Sequence, residues 1–312
     1  MTPIRDVAVI TGVGLAVPGL TDVDELLGVR RGDGFDPVTA LVGRDLRHKD
    51  RATRLALRAV EPVLRDAGLA GADGEFAGPR DSTAVVVSSN LGNLDSVCQF
   101  TDVIATQTVE GLSPLGLPQT SSNVITGAVA IRYGLRGPNL TLCNGATSGL
   151  DAVYWAATLI AAGRARMAVV IGVEPAGDVV AKLVGGQVVD GAVALVLESA
   201  AFAAERGTRV RATVVGYGYG VDRGEVFGTA LGAHSGPPGL WLTNDDLAAS
   251  EPVLRDVKRA DIEARLGVCS GALGVLQCAA AVAHLDHAGG APVLASITGT
   301  DETAALLLAP PA

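Results

Sequence analysis

Short apolar segments separated by glycine- and proline-containing turns run through the whole chain and predict alternating strands and helices. Strands are predicted at Val7–Thr11, Ser82–Ser89, Asn139–Cys143, Met167–Gly172, Val193–Leu197, Arg209–Tyr217 and Ala304–Leu308. Helices are predicted at Arg51–Ala67, Leu94–Thr106, Ser121–Tyr133, Thr147–Ala162 and within Gly267–Leu285. Because several strands are apolar at successive positions, we expect them to be covered on both faces, as in α/β proteins.

Each half of the chain contains a glycine-bearing turn that leads into an apolar helix. The turn Asn144-Gly145-Ala146 precedes the helix in the first half, and Gly267–Leu285 repeats this plan in the second. This echo predicts one internally duplicated, layered α/β domain over residues 1–312, with halves at about 1–207 and 208–312. The weakly periodic segment Asp222–Thr243 is expected to be a loop or the remnant of something longer.

Composition narrows the class of protein. Of the 312 residues, 48% are hydrophobic, but no apolar run reaches the eighteen or more residues that a membrane helix needs. A net charge of −9 argues against binding nucleic acid, whose phosphates repel an acidic surface. The four cysteines form no CxxC pair, so we expect neither a metal site nor a cofactor held by cysteines. The start of the chain has no pattern typical of a signal peptide, which predicts a cytoplasmic protein.

A dinucleotide site is the first alternative that the chain raises. The strand Val7–Thr11 runs into Gly12-Val13-Gly14, which resembles the start of a GxGxxG loop. The position of the third glycine is taken by Val17. Since that glycine allows the close helix–strand packing of the phosphate loop, we do not expect a nucleotide to bind here.

The segment Pro118–Gly149, PQTSSNVITGAVAIRYGLRGPNLTLCNGATSG, carries a much more specific signal. It resembles the β-ketoacyl synthase family, with the family's helix, its YGLRGPN turn, a strand and then the nucleophile elbow. Further matches follow in the family's order along both halves, at VAVITGVG, Ala161–Gly172, Asp190–Ser199 and Leu266–Cys278. The resemblance implies a thiolase-like α/β fold, with two related halves in an α-β-α-β-α arrangement and a shortened second half.

The resemblance also marks the positions where the family keeps its catalytic groups. The elbow cysteine, which takes the acyl chain as a thioester, is matched by Ala146. The two histidines are matched by Asn244 and Val268, and the lysine that arranges the second histidine by Glu263. The family's C-terminal GFGG loop is matched by Thr298–Asp301. With every catalytic position changed, the resemblance implies a chain that has kept the scaffold without the chemistry.

Another nucleophile could stand in for the missing cysteine. Cys143 lies three residues before Ala146, and we expect it to be a structural thiol buried in the core or in a dimer interface. Thr147 and Ser148 begin a helix, where capping is the ordinary role of a hydroxyl. A residual acyltransferase, decarboxylase or hydrolase acting on acyl-carrier-protein thioesters therefore stays open as the alternative function.

Inactive members of this family have a known use as chain-length factors. The resemblance implies a partner, an active ketosynthase, in a heterodimer or heterotetramer of a type II polyketide synthase. Acyl carrier protein would be bound mainly through that partner. The short, degenerate sequence is similar to factors of highly reducing, polyene-forming systems, and its composition fits a GC-rich bacterium such as an actinobacterium.

The resemblance assigns two further sets of residues. The first set would shape the acyl tunnel, with Phe100 as its plug, and comprises Asn93, Ser96, Phe100, Gly116 and Leu117. The alternative for Phe100 is an ordinary place in the core. The second set would lie at the dimer interface and comprises Pro118, Asn123, Leu140, Leu142 and Cys143.

Overall fold

A computed structural model describes residues 8–28, 34–232, 234, 236–245 and 254–311. Val7, with which the first predicted strand begins, lies outside the described residues. The strands are β1 Ala8–Ala16, β2 Thr83–Ser88, β3 Asn139–Leu142, β4 Met167–Glu174, β5 Gly191–Ser199, β6 Ala212–Gly220, β7 Leu240–Thr243, β8 Arg259–Ala260, β9 Val293–Thr298 and β10 Thr303–Ala309.

The helices follow the strands closely in sequence. They are α1 Pro37–Ala40, α2 Arg51–Asp66, α3 Leu94–Gln107, α4 Val124–Tyr133, α5 Ser148–Ala161, α6 Asp178–Val184, α7 Ala200–Arg206, α8 Arg223–Leu231, α9 Glu263–Leu266 and α10 Leu273–Ala288. Where the sequence predicts a helix or a strand, the structure has one, with ends that differ by a few residues.

The strand order shows the internal duplication directly. Across the sheet the order is β3-β2-β4-β5-β1 and then β6-β10-β9-β7-β8. If β6 to β10 are counted as one to five, the second half also reads 3-2-4-5-1 when it is followed from its own far edge. The halves join where Val9 and Ile10 of β1 pair with Thr213 and Ala212 of β6. In both halves, parallel pairs lie toward the outer edge and antiparallel pairs toward this junction.

Buried residues form three clusters that define five layers. The largest cluster lies between the two half-sheets and includes α5 and α10. A second cluster packs α2 and α4 on the outer face of the first half-sheet. A third packs α8 on the second half-sheet, through Val226, Phe227 and Trp241. This is an α-β-α-β-α arrangement, as the sequence predicts.

Two local predictions are wrong. Residues 223–231, expected to be a loop, form α8, whose side chains at 226, 227 and 230 are buried. Gly224 and Gly228 within α8 are poor helix formers, so the sequence does not predict this helix. The backbone of α8 packs closely against Gly216 and Gly218 of β6, which have no side chains. The first strand, predicted to end at Thr11, continues to Ala16. Gly14 on this strand packs against the backbone of α2. These glycines therefore serve helix packing.

One side of the first half-sheet is open to solvent. Strand β3 is at the end of the sheet order, and its residues are exposed or half-buried. Helix α3 is likewise solvent-accessible along its whole length, with Val97 and Ile104 exposed. Among the described residues, no helix has the length and apolar character to cross a membrane.

Candidate functional site

The centre of the site is the sharp turn between β3 and α5. Gly145 has a φ of +93°, a backbone conformation that favours glycine. Ala146 follows, partly exposed, and the 14-residue helix α5 begins two residues later. The N-terminus of such a helix stabilises negative charge, which is the environment that a thiolate needs. The residue at this place has a methyl group, which cannot attack a thioester.

Asn90, on the loop after β2, holds this turn from one side. Its Nδ2 donates to the Gly145 carbonyl at 2.8 Å and to Ser270 Oγ at 3.0 Å. Its Oδ1 accepts from the Gly145 N–H at 3.3 Å and from Ser148 Oγ at 3.2 Å. One amide side chain thus links the turn of the first half to the corresponding turn of the second.

The buried carboxylate of Glu174 fixes the loop that carries Asn90. Its oxygens accept the backbone N–H groups of Asn90, Leu91 and Gly271 at 2.7, 3.0 and 2.9 Å. Burial raises the pKa of Glu174 to about 7, and these hydrogen bonds oppose that rise. Glu174 therefore joins three segments that meet at the site.

A second buried carboxylate supports the elbow from below. Asp151 accepts from Asn144 Nδ2 at 2.5 Å, from Thr147 Oγ1 at 3.0 Å and from Tyr217 O–H at 2.5 Å. The hydroxyls of Thr147 and Ser148 are buried and bonded within the elbow. The predicted capping role is wrong, since Thr147 at the N-cap of α5 makes no side-chain cap hydrogen bond, and the two hydroxyls instead bond to Asp151 and to the Gly145 carbonyl.

Asn244 lies at the end of β7, on the second half-sheet. Its Oδ1 accepts the Thr298 N–H at 3.0 Å, and its Nδ2 donates to the Thr298 carbonyl at 3.2 Å. Gly299, which follows Thr298, lies beside the elbow. A Cβ atom added to Gly299 would be 3.4 Å from the Ala146 methyl carbon. Asn244 therefore holds the turn that lies against Ala146.

Val268 and Glu263 lie beside the corresponding turn of the second half. The Val268 N–H donates to the Gln187 carbonyl at 2.8 Å, and its side chain stays partly exposed. Glu263 accepts the Cys269 N–H at 2.6 Å, and burial raises the pKa of this carboxyl. Both residues flank the turn 269–272, whose Ser270 is bonded to Asn90.

The turn between β9 and β10 adds a carboxylate to the site. The Gly299 N–H donates to the Glu302 carbonyl at 2.8 Å and closes the turn. A carbon built on Gly299 would lie 2.8 Å from Glu302 Oε1, and one built on Gly145 would lie 3.5 Å from the same oxygen. The Glu302 carboxylate thus lies beside the elbow.

The residues assigned to the tunnel gather at the start of α3 and the segment before α4. Asn93 Nδ2 donates to the Thr120 carbonyl at 2.8 Å, and Ser96 is half-buried. The half-buried Phe100 ring lies against Gly116 and lines a cleft of about 360 Å³ together with Val103. Leu117 is exposed. Phe100 belongs to none of the three buried clusters of the described chain, so an ordinary core role does not account for it.

The residues assigned to the interface all lie on the open side of the half-sheet. Pro118 and Asn123 are exposed, and Leu140 and Leu142 are half-buried. Cys143 is exposed in the single chain, so its expected burial in the core is wrong, and its place in a dimer interface stays a prediction. It directly follows β3, which has a neighbour on one side only.

Sequence reasoning missed Asn90, Glu174 and Glu302. The signal for Glu174 is a lone carboxylate directly after an apolar strand, and Asn90 closely follows another. Glu302 shows no pattern in the sequence, because only the turn geometry brings it to the elbow. Within the described part of the chain, no group of three or more His, Cys, Asp or Glu side chains is placed to hold a metal ion.

The five layers and the strand–elbow–helix unit in each half define a thiolase-like protein. The family model described as "Beta-ketoacyl synthase, N-terminal domain" matches residues 27–186, more than half of the chain. The chain therefore belongs to the β-ketoacyl synthase family.

Curated relatives agree with this assignment. The chain is 29% identical over 215 residues to 3-oxoacyl-[acyl-carrier-protein] synthase 2 of Vibrio cholerae, which covers 61% of this chain and 51% of the relative. It is 32% identical over 126 residues to the granaticin polyketide putative beta-ketoacyl synthase 1 of Streptomyces violaceoruber, covering 40% and 28%. The chain spans about half the length of the first of these relatives.

Solved structures share the fold over nearly the whole chain. The ishigamide ketosynthase/chain length factor superposes with a TM-score of 0.78 at 24% identity, covering 98% of this chain and 100% of that one. A type II PKS acyl-carrier protein in complex with its ketosynthase bound to the hexaketide gives 0.81 at 18% identity, with the same coverage. At these identities the likeness establishes the fold.

Proposed function

We propose that this chain is a non-catalytic, cytoplasmic ketosynthase-family subunit that pairs with an active ketosynthase and limits the length of its acyl chain. The observation that carries the proposal is Ala146 at the head of α5. The scaffold around it is kept by Asn90 and Glu174, whereas the side chain that would form the thioester is absent. A scaffold without a nucleophile can still bind a partner ketosynthase and shape the tunnel for its acyl chain.

The open side of the first half-sheet supports the pairing. Besides the free edge of β3, the exposed apolar side chains of Ile104, Leu117 and Ile131 on α3, the segment before α4 and α4 offer surface that a partner could cover. A strand edge with unpaired backbone groups is a template for pairing with another chain. The fitting partner is a second thiolase-like chain, since its own β3 edge would extend the sheet across a two-fold axis.

The backbone of β3 allows a specific test of this pairing. The Pro138 and Leu142 carbonyls accept from the Val85 and Ser89 N–H groups on the β2 side. By the alternation of a strand, the Thr141 N–H points away from β2. Thr141→Pro should remove a donor from the free edge while it keeps the ladder to β2.

The experiment is co-expression with an active ketosynthase from the same organism, followed by size-exclusion chromatography. We expect a stable complex, and its loss in Thr141→Pro. Thr141→Val is the matched control, because it loses the same hydroxyl but keeps the N–H. A wild-type chain that elutes alone in the presence of the ketosynthase would contradict the proposal.

The cleft at Phe100 supports a role in setting chain length. The half-buried ring of Phe100 lines a cleft between α3 and the segment before α4. In a two-fold pair, this helix would face the partner. An aromatic ring there would end a tunnel that crosses the interface, and acyl carrier protein would dock mainly on the partner that carries the cysteine.

The exposure of Cys143 keeps a residual acyltransferase or hydrolase as a second candidate. Partial burial raises the pKa of this thiol, so it is protonated at neutral pH and weakly nucleophilic. This second function predicts covalent labelling of the isolated chain by an acyl thioester, abolished by Cys143→Ala. An unlabelled wild-type chain would exclude it.

A further inference from the structure

The cleft in front of the elbow is strongly acidic. It is lined by residues of the β6–α8 connection, the end of β7 and the β9–β10 turn, and has a volume of about 600 Å³. Its lining contains three carboxylates, Asp245, Asp301 and Glu302, and one guanidinium, Arg223. Arg223 forms an ion pair with Asp245. Asp301 is exposed to solvent, whereas the half-buried Glu302 carboxylate lies beside the elbow.

Glu302 is the carboxylate that reaches the elbow itself. Its Oε1 and the Ala146 methyl both pack against Gly299, and the same oxygen approaches Gly145. The Gly299–Glu302 backbone hydrogen bond and the pairing of Thr298 with Thr303 hold the turn in this position. The carboxylate therefore occupies part of the space beside the side chain of residue 146.

We propose that Glu302 is a second block on the former acylation site, which excludes acyl thioesters even when a thiol is present at position 146. The inference rests on the proposed function only in taking position 146 as the former site of acylation. It assigns Glu302 a role independent of the loss of the cysteine.

Two physical effects make the carboxylate a block. A nearby negative charge raises the pKa of a thiol by about one to three, so less thiolate is present at neutral pH. The same charge opposes the oxyanion that develops when a thioester is attacked, which preorganised donors would otherwise stabilise. Both effects act on the reaction that the elbow would have to perform.

The other ionisable groups around the elbow are already engaged. Glu174 and Asp151 lie beneath it, with their oxygens bonded to backbone and side-chain donors. Arg223 and Asp245 are paired across the cleft. Asp301 is on the same turn as Glu302 but its side chain is exposed, which makes it the matched control.

The test restores the thiol and then removes the charge. In a Cys143→Ser background of the full chain, Ala146→Cys is compared with Ala146→Cys/Glu302→Gln, Ala146→Cys/Glu302→Ser and Ala146→Cys/Asp301→Asn. The rate of alkylation of residue 146 by iodoacetamide is followed by peptide mass spectrometry from about pH 6 to 10, a range that brackets thiol ionisation. A thermal melt of each variant shows that it is folded.

We expect both Glu302 variants to be alkylated about 10-fold faster than Ala146→Cys at pH 7, with a pH profile moved to lower pH. Asp301→Asn should change the rate at most about 2-fold, because exposed charges are screened. Coinciding profiles in all four folded variants, or an equal effect of Asp301→Asn, would overturn the proposal.

A second readout uses an acyl N-acetylcysteamine thioester. The sulfur that Ala146→Cys introduces would form the new bond to the acyl carbon, and the N-acetylcysteamine thiolate would leave and take up the proton. We expect acylation in the Glu302 variants about 10-fold or more above Ala146→Cys alone. Acylation of the wild-type chain would instead contradict the proposed function, so the two failures are distinguishable.

Discussion

The ring of Phe100 lies directly over Gly116, so closely that a carbon added to the glycine would sit 3.0 Å from Cζ of the ring. The two residues come from α3 and from the exposed segment before α4, and their contact closes one wall of the cleft at this end of the chain. A glycine at this place lets the ring lie close against the backbone.

Phe100→Ala should lengthen the product made by the complex with its ketosynthase. Removing the ring opens the cleft, so a growing chain gains room for at least one more two-carbon unit. Product length is measured by mass spectrometry after reconstitution with acyl carrier protein. Val97→Ala, an exposed position on the same helix, should leave the length unchanged, and unchanged length in Phe100→Ala would show that the ring is no plug.

Asn90→Ala should loosen the elbow. The change removes the amide that joins Gly145, Ser148 and Ser270, and takes from the Gly145 N–H the acceptor that Asn90 provides. We expect the free energy of unfolding to fall by about 1–3 kcal/mol, measured by urea denaturation. Asn139→Ala, at an exposed asparagine, should change it by less than about 0.5 kcal/mol.

Glu174 should make the stability depend on pH. Its pKa is raised from 4.5 to about 7 in the folded chain, so the folded state binds this proton more tightly than the unfolded state. The resulting stabilisation is complete below about pH 4.5 and is lost as the pH rises through about 7, for a total of about 3 kcal/mol.

Urea denaturation between about pH 5 and 8, the range over which this proton is lost, tests the prediction. Glu174→Gln should flatten the fall in stability over that range, because an amide does not titrate. Glu225→Gln, at an exposed carboxyl on α8, should leave the fall as it is. An equal slope in wild type and Glu174→Gln would assign the pH dependence to other groups.

The contact between α5 and α10 should be sensitive to a single methyl group. A carbon on Gly149 would lie 2.6 Å from the Gly274 backbone nitrogen, and one on Gly274 would lie 2.2 Å from the Leu150 nitrogen. Gly274→Ala should therefore destabilise the fold by about 1–3 kcal/mol, since backbone at this range cannot give way.

Gly228→Ala is the opposite case and serves as the control. Gly228 lies within α8, and nothing lies within 4 Å of the carbon that alanine would add. This change should stabilise the chain by about 0.5–1 kcal/mol, because glycine weakens a helix interior. The melting temperatures of Gly274→Ala and Gly228→Ala should shift in opposite directions from that of the wild type. A shift of both in the same direction would show that close packing does not decide the effect of the added methyl group.

Several features were determined by the sequence alone. The apolar segments predict most of the strands and helices. A strand that is apolar at successive positions must be covered on both faces, which places it between two layers of the fold. The repeated turn-to-helix unit predicts the duplication that the strand order then shows. Ala146 is likewise a property of the sequence, once Pro118–Gly149 identifies the elbow.

Other features depend on contacts between residues far apart in the chain. Helix α8 is hidden by its glycines, and its burial follows from two more glycines on β6. Cys143 looks buried in a strand pattern, but only the sheet order shows that this strand is at an edge. Local pattern cannot tell an edge strand from a central one.

The elbow also combines features that the sequence determines with features that depend on the tertiary structure. Ala146 was found in the sequence, whereas its neighbours Asn90, Glu174 and Glu302 come from three other segments and meet it only in the folded chain. The sequence determines which chemical groups are present. The tertiary structure decides which of them lie together, because burial and hydrogen bonding act between segments that the sequence keeps apart.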